Sequence, residues 1–267
     1  MKNIRKILAA VMALCAVFAL SACGSGSGDG DAAQTADAGG DEASYKVGIV
    51  MMIENGAFLD MYDGVVSGLA EAGYVEGENL EIDYQNAQGD ATNLATICQG
   101  MDDGSYDLVV TIATPATQAF VGLESDTPCV FCPVAAPVEA GVMSSLDTPD
   151  MNATGTSNAV PSGDILELGR MITPGISNVG LLYCTSEVNA VNAMETAREY
   201  LDENSIAYEE ATVASSADVQ TSAQSLLDKG VDCIFIANDS VVQSAVDLVV
   251  ELCNAAGVPT YCCSATT

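Results

Sequence analysis

From Tyr45 onward, runs of strand-forming apolar residues alternate with segments whose apolar positions recur every three or four residues. Residues 45–53 read as a strand, and 58–72 as a helix that stops at Gly73. Further strands are predicted at 79–85, 107–113 and 129–133, with helices at 92–101 and 115–123 between them. Strands and helices in strict alternation form a parallel sheet covered by helices on both faces.

The same order then begins again. Strands are predicted at 178–183, 207–213, 232–237 and 259–263, and helices at 188–201, 217–227 and 241–255. Gly48 of Lys46-Val47-Gly48-Ile49-Val50 is answered by Gly180 of Asn178-Val179-Gly180-Leu181-Leu182. Asp107 is answered by Asp232 and Pro128 by Pro259, at a nearly constant offset, which is the signature of a repeated unit. The stretch 141–161, rich in turn formers and threonine, joins the halves. The prediction is an α/β protein of two Rossmann-like lobes, 45–155 and 156–267, each a parallel sheet flanked by helices, with a ligand cleft between them. In open α/β sheets ligands bind beyond the carboxyl ends of the strands. The turns there are Ala113-Thr114-Pro115 in the first lobe and Asn238-Asp239-Ser240 in the second, with Thr114 matching Asp239 and Pro115 matching Ser240. Thr114 and Asp239 read as helix caps, and Pro115 as a first helical residue. The same helix starts carry N–H groups and partial positive charge for an anion. Both readings stand for each turn.

What precedes Tyr45 has a different character. Lys2, Arg5 and Lys6 are followed by an apolar run over 7–20 and then Ser21-Ala22-Cys23, the layout of a secretory signal. The run is too short for a comfortable membrane span. Leu20-Ser21-Ala22-Cys23 matches a bacterial lipobox, so residues 1–23 read as a lipoprotein signal with Cys23 as the lipid-bearing residue and membrane anchor. Residues 24–44 are Gly, Ser, Ala and Asp with little to bury, a flexible linker.

Charge narrows the function further. The chain holds 37 acidic residues against 7 basic ones. Beyond residue 23 the only basic residues are Lys46, Arg170, Arg198 and Lys229. Such a surface repels phosphate backbones and excludes nucleic acid as a partner. The four cations are too few to clamp a phosphate, and the absence of tryptophan removes the usual stacking platform for a sugar ring. There is no histidine, so a Ser-His-Asp or Cys-His arrangement is impossible. No GxGxxG or GxxxxGK[ST] run marks a nucleotide site. The cysteines beyond Cys23 lie mostly in apolar runs and read as reduced core residues. Cys129 and Cys132 form a CxxC, but along a predicted strand rather than at a helix start, and without a second CxxC or a histidine a metal site is not supported. No cofactor or metal is expected.

Several stretches taken together resemble the ABC transporter substrate-binding lipoproteins of the tryptophan and tyrosine type: IDYQNAQGD (82–90), IATPATQA (112–119), NATGTS (152–157), SEVN (186–189) and AGYVEG (72–77). The resemblance covers nearly all of 45–261. It implies a type I periplasmic-binding-protein fold, a small ligand trapped between the lobes, no catalysis, and partner permease and ATPase subunits. The ligand-binding candidates are Met52, Glu54, Asn55, Ala113, Thr114, Pro115, Pro137, Thr156, Ser157, Ser186, Glu187, Asn189, Asn238, Asp239 and Ser240. Backbone N–H groups near Thr114 and Ser240 suit a carboxylate, and Glu54, Glu187 or Asp239 suits an ammonium. For Glu187 and Asp239, a purely structural role at a helix start is the competing reading. This chain departs from the family pattern at 51–57, where a Glu-His-Pro-Ala run is replaced, at Ala136-Pro137, at Asn238-Asp239 and at Cys262-Cys263-Ser264. Family members also run on past the strand at 259–263, so the second lobe reads as truncated. The expectation is an extracytoplasmic, lipid-anchored protein that captures an aromatic or apolar amino acid for an importer. The alternatives are a ligand sensor not coupled to transport, or a CxxC thiol oxidoreductase.

Overall fold

The computed structural model describes residues 44–263. The predicted signal with Cys23, the linker up to residue 43 and residues 264–267 lie outside the described residues. Two all-parallel sheets organise the rest. The first is ordered β2-β1-β3-β4-β5, from β1 (Tyr45–Met51), β2 (Leu80–Asn86), β3 (Leu108–Ile112), β4 (Cys129–Cys132) and β5 (Ala153–Gly155). The second is ordered β7-β6-β8-β9, from β6 (Asn178–Cys184), β7 (Ala207–Val213), β8 (Cys233–Ile236) and β9 (Thr260–Cys262).

Successive strand residues point to opposite faces, so each sheet builds two cores. Ile49, Met51, Val110 and Ile112 meet Phe58 of α1 (Gly56–Glu71) on one face of the first sheet. On the other face Val50, Val109 and Phe131 meet Leu94, Cys98 and Met101 of α2 (Ala91–Met101) and Phe120 of α3 (Thr114–Val121). In the second sheet Leu181, Tyr183 and Phe235 pack under α4 (Ser162–Ile172) and α5 (Val188–Glu203). Leu182, Ile234 and Ile236 pack under α6 (Ser216–Asp228) and α8 (Val246–Ala256), with the short α7 (Ser240–Gln243) between those helices in sequence. Each such fully buried side chain contributes about 1.5–3 kcal/mol.

The repeat in the sequence has a physical basis. Asp107 accepts the Lys46 N–H at the start of β1, and Asp232 accepts the Ser177 and Asn178 N–H groups at the start of β6. Pro128 and Pro259, which have no N–H to offer, present carbonyls to Val109 and Ile234 at equivalent ladder positions. Gly48 and Gly180 let a helix lie close on the central strand: a Cβ would sit 2.8 Å from Met101 Sδ at the first, and 3.2 Å from Leu226 and Val231 at the second.

Four elements differ from the prediction. The joining segment contains β5, which is short and buries only Ala153 in the core. Gly155 is obligatory there, because a Cβ would meet the Phe131 carbonyl oxygen at 2.0 Å. Helix α4 is an addition to the predicted elements; it begins at Pro161 without a side-chain cap and leaves Leu168, Met171 and Ile172 exposed. The single helix predicted over 241–255 is broken at Ala245, whose φ −128°, ψ 20° is not helical. The cap of α3 is Ala113, not Thr114. Cys129 and Cys132 are three residues apart on β4 and so face opposite sides, which prevents their pairing while the strand persists. Burial pushes the Cys98, Cys129 and Cys233 thiols up to about 12, 11 and 12. Among the described residues no helix is long and apolar enough to cross a membrane.

Candidate functional site

The carboxyl ends of β3 and β8 open onto one cleft. It is lined by Phe58, Met61, Ala113, Thr114 and Pro133 of the first lobe, Asn158 of the crossover, and Glu187, Asn189, Asn238, Ser240 and Gln243 of the second lobe. The enclosed space is about 10 Å³, room for a single water-sized sphere. A ligand of amino-acid size therefore enters only when the lobes separate or the lining side chains swing. A larger groove of about 730 Å³ adjoins it and shares Asn158, Asn189 and Asn238 with it. That groove lies past the carboxyl ends of β4, β5, β8 and β9, between Ala135–Glu139, the crossover and α5.

On the first-lobe wall, Ala113 holds φ 70°, ψ 165°, a region that essentially only glycine occupies without strain. Its N–H donates to the Cys132 carbonyl at 3.2 Å, and its carbonyl accepts from Thr117 through both N–H (3.2 Å) and Oγ1 (3.0 Å). Three hydrogen bonds thus hold the turn in a conformation it would otherwise leave. Alanine has no side chain with which to cap α3, so the donors at this helix start are left to whatever occupies the cleft.

The second-lobe wall is built the opposite way. Asp239 is fully buried and caps α7 itself: one oxygen accepts from Val242 N–H at 2.9 Å and the other from Cys184 N–H at the end of β6. Glu187, at the start of α5, is 4% exposed and faces the cleft. It accepts from the N–H (3.1 Å) and hydroxyl of Ser240. Burial pushes the Glu187 carboxyl up, against the Ser240 hydrogen bonds that pull it down. Burial and the neighbouring Glu187 charge push Asp239 up to about 7. Asn189 Nδ2 donates to the Asn238 carbonyl, while its buried Oδ1 has no partner in the protein. Asn158 Oδ1 is likewise buried and unpartnered. Acceptors therefore accumulate on this wall.

Of the predicted residues, Ala113, Thr114, Glu187, Asn189, Asn238 and Ser240 come together on the cleft. Asp239 lies behind Glu187 with its carboxylate spent on backbone donors. Pro115 is the second residue of α3. Glu54 is exposed and accepts from Tyr84 Oη at 2.6 Å, and Asn55 caps α1 by accepting from Phe58 N–H. Met52 packs against the first-lobe core. Ser186 bonds Cys184 Sγ, Ser157 donates to the Ala135 carbonyl, and exposed Thr156 pairs by backbone with Phe131 and Val134. Pro137 and Ser157 line the adjoining groove. Phe58, Met61, Pro133, Asn158 and Gln243 are lining residues that sequence reasoning missed. Phe58 and Met61 sit one turn apart near the start of α1, a spacing that reads equally as core.

Two parallel-sheet lobes with a closed cleft at their strand ends define a type I periplasmic-binding-protein fold. Residues 46–267 match the model of a family described as ABC transporter substrate binding protein, and the chain belongs to that family. It is a family of binding proteins rather than enzymes, which act outside the cytoplasm with a permease. A tyrosine-binding protein of Clostridioides difficile is 30% identical over 96% of this chain and 74% of its own length. A structure from Streptococcus pneumoniae in complex with L-Trp is 28% identical, covers 84% of this chain and 75% of that one, and superposes with a TM-score of 0.78. A ligand-free, open substrate binding protein from Clostridium difficile is 31% identical over 82% of this chain and 74% of that one, with a TM-score of 0.57. At like identity and coverage, the superposable part of this chain fits the L-Trp complex more closely than the open form.

Proposed function

We propose that this protein is an extracytoplasmic lipoprotein, anchored through Cys23, that captures an aromatic or apolar amino acid and delivers it to an ABC permease driven by its ATPase. The observation that carries the reading is the opposition of the two walls. Uncapped donors at the start of α3 face Glu187 and the unpartnered oxygens of Asn189 and Asn158, and Phe58 and Met61 stand beside them. The α3 start takes the ligand carboxylate, the acceptor wall takes its ammonium, and Phe58 and Met61 take the side chain. Both charge contacts are charge-assisted and strengthen in a water-poor cleft. The ligand touches both walls at once only when the lobes close, so it draws the open–closed equilibrium to the closed state. The tyrosine-binding and L-Trp-bound relatives support the substrate class.

The chain contains no tryptophan, so the fluorescence change of added L-tryptophan reports its own binding without a tryptophan signal from the protein. Titration of the whole protein with L-tryptophan, and competition by L-tyrosine and L-leucine, should give saturable binding. Glu187→Gln should weaken it about tenfold or more through loss of the charge-assisted bond. Failure of every amino acid to bind or to raise the unfolding midpoint overturns the reading.

A further inference from the structure

We propose that the cleft takes up its ligand in exchange for a proton, which the Glu187–Asp239 pair holds when no ammonium is present and releases to solvent when one binds. This rests on the capture reading above and assigns the charge balance of that site.

The geometry makes the exchange necessary. Glu187 is 4% exposed and Asp239 is fully buried, and Glu187 is bonded to the residue that follows Asp239. For two neighbouring carboxylates shielded from bulk water, ionising both at once is costly unless a cation compensates them. The four basic side chains among the described residues are committed elsewhere: Lys46 to Glu81, Arg170 to Glu167, Arg198 to Glu210 and Lys229 to Glu209. The groups that face the pair from the surrounding elements supply no positive charge. Strand β6 brings the Cys184 thiol, and the end of β9 brings the Cys263 thiol near Asn238; both are pushed up by burial. Helix α1 brings Phe58 and Met61, the β3–α3 turn brings Ala113 and Thr114, and the crossover brings Asn158, none of which ionises. Burial holds both carboxyls above the usual carboxylate range, in agreement with this arrangement.

An independent observation points to the ligand. Asn189 is 7% exposed, lines the cleft beside Glu187, and has a buried Oδ1 without a partner. That oxygen and the Glu187 carboxylate form an acceptor pair suited to an N–H donor with a positive charge. With the cleft empty the pair carries one proton and one negative charge. With the ligand bound it carries two negative charges and the ammonium one positive charge, so the net charge of the acceptor wall is unchanged and one proton has left, while the ligand carboxylate sits apart on the donors at the start of α3. No covalent bond forms or breaks in the ligand.

Calorimetric titration of the full chain with L-tryptophan in two buffers of unlike ionisation enthalpy counts the protons released. The expected result on the acid side of neutrality is a release approaching one per ligand, with affinity rising about tenfold per pH unit below the titration of the pair and levelling off above it. Asp239→Asn should reduce both the release and the pH slope. An infrared measurement needs neither mutant nor ligand for its first half: the empty wild-type protein should show a protonated carboxylic-acid carbonyl band near neutral pH, and L-tryptophan should remove it. Binding with no proton release and no such band overturns the exchange while leaving amino-acid capture standing. Failure of L-tryptophan and L-tyrosine to bind, with the band present in the empty protein, instead overturns the capture reading and the exchange that depends on it.

Discussion

Replacing Ala113 by glycine should stabilise the protein. The alanine sits at φ 70°, ψ 165°. A non-glycine residue there costs about 1–3 kcal/mol. Glycine removes that cost but loses more chain entropy on folding, about 0.5–1 kcal/mol. It also gives up a methyl group that is only partly buried against the first-lobe core, worth about half of the ~0.8 kcal/mol of a fully buried one. The net gain is about 1 kcal/mol, or a rise of about 2–4 °C in the unfolding midpoint for a chain of this size. Ala113→Val reverses the sign, since a β-branched residue is worse than alanine at positive φ. Urea unfolding of the three proteins tests the argument through the midpoint at constant slope. A lower midpoint for Ala113→Gly, or no penalty for Ala113→Val, would show that the turn is not strained. The three hydrogen bonds around Ala113 would then be holding nothing against its will.

Other consequences are equally open to measurement. Folding raises the pKa of both Glu187 and Asp239, Asp239 to about 7, so the folded state binds more protons than the unfolded one between about pH 4 and 7. Stability should be greatest below the unfolded value and fall as pH rises through that window, by a few kcal/mol; a double Glu187→Gln, Asp239→Asn protein should lose that slope, and a wild-type midpoint that rises over the window would refute the pairing. Gly155→Ala drives a Cβ into the Phe131 carbonyl and should cost about 1–3 kcal/mol, with faster amide exchange at Val134 and Thr156, whose bonds continue β5. Unchanged exchange would show that β5 tolerates the methyl. Cys23→Ser should abolish incorporation of labelled fatty acid in a bacterial host; retained label would rule out Cys23 as the anchor.

The alternation of elements was legible because its cause is local: apolar residues every second position in strands and every third or fourth in helices. Even the repeat was readable, since Asp107 and Asp232 do the same work at the edges of β1 and β6. What escaped has physical reasons. β5 buries one side chain, too few to make a periodic signal. Helix α4 follows a proline without a capping side chain and leaves Leu168, Met171 and Ile172 exposed, so neither a cap nor burial of its apolar residues marks it out. No glycine or proline marks the break at Ala245. The site was legible only in part. Turns after strands announced Ser240 and Ala113, and the family resemblance added Glu187, but nothing in the sequence told which acid faced the cleft and which faced the backbone. Phe58 and Met61 looked like core because the first turn of α1 serves both core and cleft.

Ala113 and Asp239 occupy corresponding caps in two halves built on one plan, yet one half leaves its helix start bare and the other fills it with a carboxylate of its own. The twofold likeness of the lobes is thereby broken into a positive pole and a negative pole. A bare amine would find only one pole and a bare acid only the other. On the capture reading proposed above, a molecule carrying both charges would be gripped at each end and in one orientation alone, so the asymmetry of two single residues would set which way round the cargo is presented.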